Sequence, residues 1–168
     1  MIEQKQTANH NTAGFFALVN NRFKFNLFLL KNLPAAYFSG VRILAANEQN
    51  CRVSLPFKWF TKNPFRSTYF ACLSMAAEMS TGVLAMAHVY KRKPAVSMII
   101  VEVESKYFKK ATGVTTFVCT EGLVLKQTIE QAIDSNQPQT ATIKASGYNE
   151  AGELIAEFWF KWSFRLKP

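Results

Sequence analysis

The chain has 168 residues, 49% of them hydrophobic and only 18% charged, which is enough for one domain with a sizeable core and excludes a disordered polypeptide. Twenty Lys and Arg against 11 Asp and Glu give a net charge of +9, a balance that suits nucleic acid, acidic lipid or a phosphorylated small molecule without choosing among them. Three scattered cysteines (Cys51, Cys72, Cys119) and two histidines make no zinc-ligand pattern; buried free thiols in a reducing, cytoplasmic setting are expected, with no metal.

Residues 1–14 are polar and lack a basic stretch leading into an apolar core, so they read as a flexible tail rather than a signal peptide, and residues 15–168 as a single domain. Phe15–Pro34 is helix-like and stops at Leu33-Pro34. A membrane-spanning helix needs ~20 mostly apolar residues. Asn20, Asn21, Arg22, Lys24 and Asn26 interrupt this one, so it is expected to pack over the domain's own apolar surface, with an interfacial helix as the alternative, rather than cross a membrane. Gly40–Phe57 reads as two strands around an Asn-Glu-Gln-Asn turn. A long apolar helix follows, from Asn63 or Pro64 to Ala87, with Asn63 as its cap and Pro64 in its first turn. Lys91–Pro94 breaks the chain. Strands are then expected at Ala95–Ser105 and Thr112–Thr120, a short helix at Glu121–Asn136, and two strands joined by a turn at Asn149–Gly152. In the last strand Leu154, Ala156, Phe158, Phe160, Trp162 and Phe164 share one face, the strongest period-two pattern in the chain.

A helix apolar on most sides must be covered on most sides. A curved antiparallel sheet wrapped around it satisfies that demand, which makes the fold α+β. Between Gln49 and Val101 the sequence carries seven basic residues and one acid, Glu78. At helical spacing Ser67, Ser74, Glu78 and Thr81 form one narrow polar stripe, and Gly82, four residues beyond Glu78, leaves room beside it. A carboxylate in apolar surroundings is costly to ionise, and desolvation raises its pKa toward the range of a general base. A structural ion pair, with hydroxyls bonding back to helix carbonyls, is the competing reading of the same stripe.

The run NPFRSTYFACLSMAAEMSTG (residues 63–82), a break, and then AVSMIIVEVES (residues 95–105) resembles the central helix and following strand of hot-dog thioesterases of the phenylacetyl-CoA-thioesterase-like type. It is most similar to an uncharacterised bacterial branch known as a domain of unknown function, and Lys24–Ile43 resembles that branch's N-terminal segment. The resemblance implies a hot-dog fold and an acyl thioester as substrate, with coenzyme A or an acyl carrier as the thiol and no cofactor of its own. It also implies a homodimer or dimer of dimers whose sheets join, with sites at the interface.

In that family a His-Gly-Gly turn opens the helix and the acid follows nine residues after the histidine. The acid activates water or attacks the carbonyl, and a backbone N–H at the helix start holds the oxyanion. Here Glu78 keeps the acid, whereas Tyr69, Phe70 and Ala71 occupy the His-Gly-Gly positions. Phe70 or Ala71 is then the expected N–H donor, although a phenylalanine crowds what glycine leaves open. Asn63 is a candidate for polarising the carbonyl, and Arg66, Ser67, Tyr69, Ser74 and Thr81 for binding substrate. Lys91-Arg92-Lys93 and Lys106/Lys109/Lys110 are candidates for meeting coenzyme A phosphates. The expected function is a thioester hydrolase; a non-catalytic acyl or lipid binder is the alternative. The +9 charge has no nucleic-acid motif beside it, so nucleic acid is not an expected partner.

Overall fold

A computed structural model describes residues 12–167. Helix α1 (residues 12–19) leads into α2 (Arg22–Asn32) and α3 (Pro34–Ser39). Strands β1 (Arg42–Ala46) and β2 (Cys51–Leu55), a single 3-10 turn (Trp59–Thr61) and the central helix α4 (Phe70–Val89) come next. Strands β3 (Val96–Tyr107) and β4 (Thr115–Cys119), helix α5 (Gly122–Ser135), and strands β5 (Gln139–Tyr148) and β6 (Leu154–Leu166) complete the fold. The tail expected over residues 1–14 falls partly outside the described residues; residues 12–14 are helical.

The single N-terminal helix expected from Phe15 to Pro34 is broken at two asparagines. The Asn20 side chain bonds both backbone groups of Ala46, at 2.8 and 2.9 Å, which ties α1 to β1. Asn21 caps α2, its Oδ1 accepting the Lys24 N–H at 3.1 Å. Leu33 then separates α2 from α3.

All six strands pair antiparallel in the order β1-β2-β4-β5-β6-β3, forming a curved sheet around α4. This is the hot-dog arrangement expected from the apolar helix and the alternating strands. On the inner face Phe117, Phe158, Phe160 and Phe164 are fully buried, and the Phe158 and Phe160 rings stack at 5.9 Å. Gly147, opposite Phe117 in the β4–β5 ladder, is where the sheet accepts that ring: a β-carbon there would lie 2.5 Å from it. Cys51 and Cys119, distant in sequence, are direct cross-strand partners on β2 and β4; both are buried free thiols. Helix α4 is long and apolar enough to cross a membrane, but most of it is buried within the protein, as a core helix must be.

Strand β3 carries a bulge. It pairs with β6 up to Ile100–Trp162 and resumes at Glu102–Lys161, so Val101 is skipped. Beyond the bulge the inner face passes from Met98 and Ile100 to Val103, Ser105 and Tyr107, opposite Phe160, Phe158 and Ala156. β3 lies at the sheet's edge, and Ile99, Val101, Val103 and Tyr107 remain exposed along it.

Candidate active site

Helix α4 starts at Phe70, not at Asn63 or Pro64. Residues 62–68 form a tight loop instead, closed by a Lys62–Thr68 bridge. Asn63 builds that loop: its Oδ1 accepts the Phe65 N–H at 3.0 Å, the Ser67 N–H at 3.2 Å and the Ser67 hydroxyl at 3.3 Å. Its role as cap of the long helix is therefore corrected; it caps a turn seven residues earlier. Thr68 is drawn away from helical geometry by Ala111, whose carbonyl accepts the Thr68 N–H at 2.8 Å and its hydroxyl at 3.1 Å. The Tyr69 N–H donates to the Thr61 carbonyl at 2.7 Å. Arg66 adopts a left-handed backbone (φ 59°) and points an exposed side chain outward from the loop.

The polar stripe is consequently shorter than expected. Ser67 lies in the loop, which leaves Ser74, Glu78 and Thr81 on α4. Thr81 is fully buried and occupied: its hydroxyl donates to the Glu78 carbonyl at 3.0 Å and accepts the Trp162 indole N–H at 3.1 Å. That indole contact was not legible in the sequence, where Trp162 reads only as a core residue. Ser74 is half-buried one turn before Glu78.

Glu78 is half-buried, and no hydrogen-bond donor or cation reaches its carboxylate among the described residues. Burial pushes its pKa up to about 7. Its Oε1 lies against Gly82; a β-carbon at Gly82 would meet it at 2.8 Å and the Trp162 ring at 3.5 Å. The room that Gly82 leaves is taken up by the Glu78 carboxylate itself, with the indole on its far side. The structural ion pair weighed against a functional acid is not made within the described chain.

At the helix start Tyr69 is the capping residue but offers no side-chain bond, and the N–H groups of Phe70 and Ala71 meet no acceptor among the described residues. Two free donors at a helix N-terminus can hold a developing negative charge. The Phe70 ring is exposed and packs edge-on against Tyr69 at 5.0 Å. At 1.5 Å per residue, Glu78 is about 10 to 12 Å along the axis from these donors.

The other basic candidates are largely occupied. Arg92 makes a bidentate pair with Glu130, at 2.8 Å for one contact, and Lys109 pairs with Glu153. Lys106 lies 5.2 Å over the Trp159 ring, and Lys110 reaches the Phe65 carbonyl at 3.4 Å. His88, at the far end of α4, is buried with Nε2 unpartnered among the described residues, and burial lowers its pKa to about 4. A cavity of about 350 Å³ lies between the β3–β4 loop and the β5–β6 turn, lined by Lys110, Gly113, Thr115, Asn149 and Glu150; it does not include Glu78.

A model of the family described as "Domain of unknown function (DUF4442)" matches residues 25–164. The chain belongs to that family. Its fold is shared by solved structures of low identity. A Pseudomonas aeruginosa protein of unknown function, described as a probable thioesterase, aligns with a TM-score of 0.73 at 18% identity, covering 86% of this chain and 96% of that one. A Chlorobaculum tepidum protein of unknown function aligns at 0.72 with 16% identity, covering 86% and 93%. The Escherichia coli PaaI protein of the phenylacetic acid degradation operon aligns at 0.62 with 13% identity, covering 89% and 96%. No curated protein matches the chain significantly. At these identities the DUF4442 chain shares the fold of its neighbours, and its chemistry must be argued from its own residues.

Proposed function

We propose that this protein hydrolyses an acyl thioester, of coenzyme A or of an acyl carrier, at a site formed between two copies. The observation that carries this reading is Glu78: a desolvated carboxylate with a pKa near 7, packed against Gly82 and unpaired among the described residues, on a helix whose first N–H groups meet no acceptor there. A base of that pKa is half-ionised near neutrality and can both take and return a proton.

Geometry supports the dimer. A base acting on water at a carbonyl carbon and a donor holding the carbonyl oxygen must lie within a few ångströms of one thioester, whereas Glu78 and the Phe70 N–H of one chain are about 12 Å apart along the helix. One copy's acid facing the other copy's helix start removes the mismatch. The bare edge of β3, with Val103 and Tyr107 exposed on the inner face, is where a second sheet would continue the first.

In such a site Glu78 accepts a proton from water as the oxygen bonds to the acyl carbon. The N–H of Phe70 or Ala71 holds the oxyanion. The carbon–sulfur bond then breaks, and the protonated Glu78 returns its proton to the departing thiolate. No resident cofactor is needed, and coenzyme A enters only as part of the substrate.

The alternative, a non-catalytic acyl or lipid binder, is favoured by one observation. The exposed Phe70 ring stands where a close approach to the helix start is required. Thiol release from a panel of acyl thioesters separates the two: turnover that depends on Glu78 supports the hydrolase, and copurified lipid without turnover supports the binder.

A further inference from the structure

We propose that the face built by α2, α3 and the 3-10 turn docks on the surface of an anionic lipid bilayer. On α2 the residues Phe23, Leu27 and Leu30 are exposed at one helical stripe, while Phe25 and Leu29 are buried on the other side. Helix α2 packs on α3, and α3 on the 3-10 turn, where the exposed Phe38 and Phe60 rings lie 6.4 Å apart. The side chains stand well clear of the surface: Phe23 is 80% exposed and Trp59 79%. So many large apolar groups on consecutive neighbouring elements mark a surface that meets a partner.

The charge identifies that partner. From residue 22 to residue 77 the sequence holds eight Lys and Arg and a single acid, Glu48. Arg22, Lys24, Lys31, Lys58, Lys62 and Arg66 are exposed there, and none reaches a carboxylate among the described residues. The cations that do pair, such as Arg92, Lys109 and Lys144, belong to later parts of the chain. Along the chain, cations with no carboxylate partner among the described residues thus alternate with protruding rings. A bilayer supplies both complements, anionic headgroups for the lysines and arginines and an acyl boundary for the rings. A second copy docked face to face would set like charges against each other, and an acidic protein surface would satisfy the cations without supplying an apolar layer for rings that stand clear of the surface.

The proposal is independent of the hydrolytic reading and is tested without substrate. The full chain is floated with vesicles of phosphatidylcholine alone and of phosphatidylcholine mixed with phosphatidylglycerol, at low and high salt. The comparison includes the Phe23→Ser/Trp59→Ser and Lys24→Glu/Lys62→Glu variants, with melting temperature and oligomeric state measured beside it. The expected result is salt-sensitive binding to the anionic vesicles, about tenfold weaker on the neutral ones and about tenfold weaker in each variant, with fold and oligomeric state unchanged. Absence of binding to anionic vesicles overturns the proposal, as does equal binding by both variants. A changed oligomeric state in the variants, or binding to an acidic carrier protein in place of vesicles, also overturns it.

Discussion

The Oε1 atom of Glu78 fills the space beside Gly82, so closely that a β-carbon at that position would lie 2.8 Å away. Alanine is intrinsically better than glycine in a helix interior by about 1 kcal/mol, so replacement would ordinarily stabilise α4. Here it must displace the carboxylate. Gly82→Ala should therefore leave the melting temperature within a few degrees of the parent while lowering thioester hydrolysis about tenfold or more. Parallel thermal melts and thiol-release rates check this, and a variant that keeps full activity would show that the acid's position is not critical.

Glu78 also makes stability depend on pH, in a direction opposite to a salt-bridged acid. Its pKa is raised from 4.5 to about 7 in the folded chain. Between those values the folded state holds a proton that the unfolded state has released, so stability falls as pH rises through the interval. The loss is of order 3 kcal/mol by about pH 8. Glu78→Gln should remove this slope and be the more stable protein at pH 8. Denaturant unfolding of both proteins from pH 4.5 to 8 measures it.

Thr81 and Trp162 join α4 to the inner face of β6 through a buried 3.1 Å hydrogen bond. Thr81→Val keeps the shape and leaves the indole N–H without its acceptor, at a cost of about 1 to 3 kcal/mol. Thr81→Ser should recover most of that loss. Urea denaturation of the two variants reads the difference, and equal stability would mean that the indole finds another partner.

These relationships were unevenly visible in the sequence. The alternating Leu154–Phe164 stretch and the apolar helix around Glu78 encode their burial directly in residue order, so the sheet, the central helix and the acid could all be read. The start of that helix could not. Asn63 and Pro64 have the local chemistry of a helix beginning, but hydrogen bonds to Thr61 and Ala111, one of them 43 residues distant, hold residues 62–69 in a loop. Ser67 left the polar stripe for that reason. Likewise Asn20 interrupts the first helix because it bonds Ala46, 26 residues away. The bulge at Val101 exchanges the faces of β3 with no glycine or proline to announce it. In each case a contact remote in sequence overrides a local preference.

The open edge of β3 gives the assembly a direct test. Val103 is exposed yet lies on the inner face beside Phe160, where a joined second sheet would cover it. An inward-pointing charge at a sheet edge opposes strand pairing. Val103→Lys should shift the protein from dimer toward monomer in light scattering, with little loss of secondary structure. On the proposed two-copy site, hydrolysis should fall with the dimer, because the acid then acts beside the other copy's helix start.

The most direct measurement is thiol release from acyl thioesters by the parent chain and by Glu78→Gln, across pH. The account predicts hydrolysis of at least one acyl class, with a rate that rises as pH passes through about 7 and a loss of about 100-fold or more in Glu78→Gln. Background rates for every acyl class, or a Glu78→Gln variant as active as the parent, would contradict it.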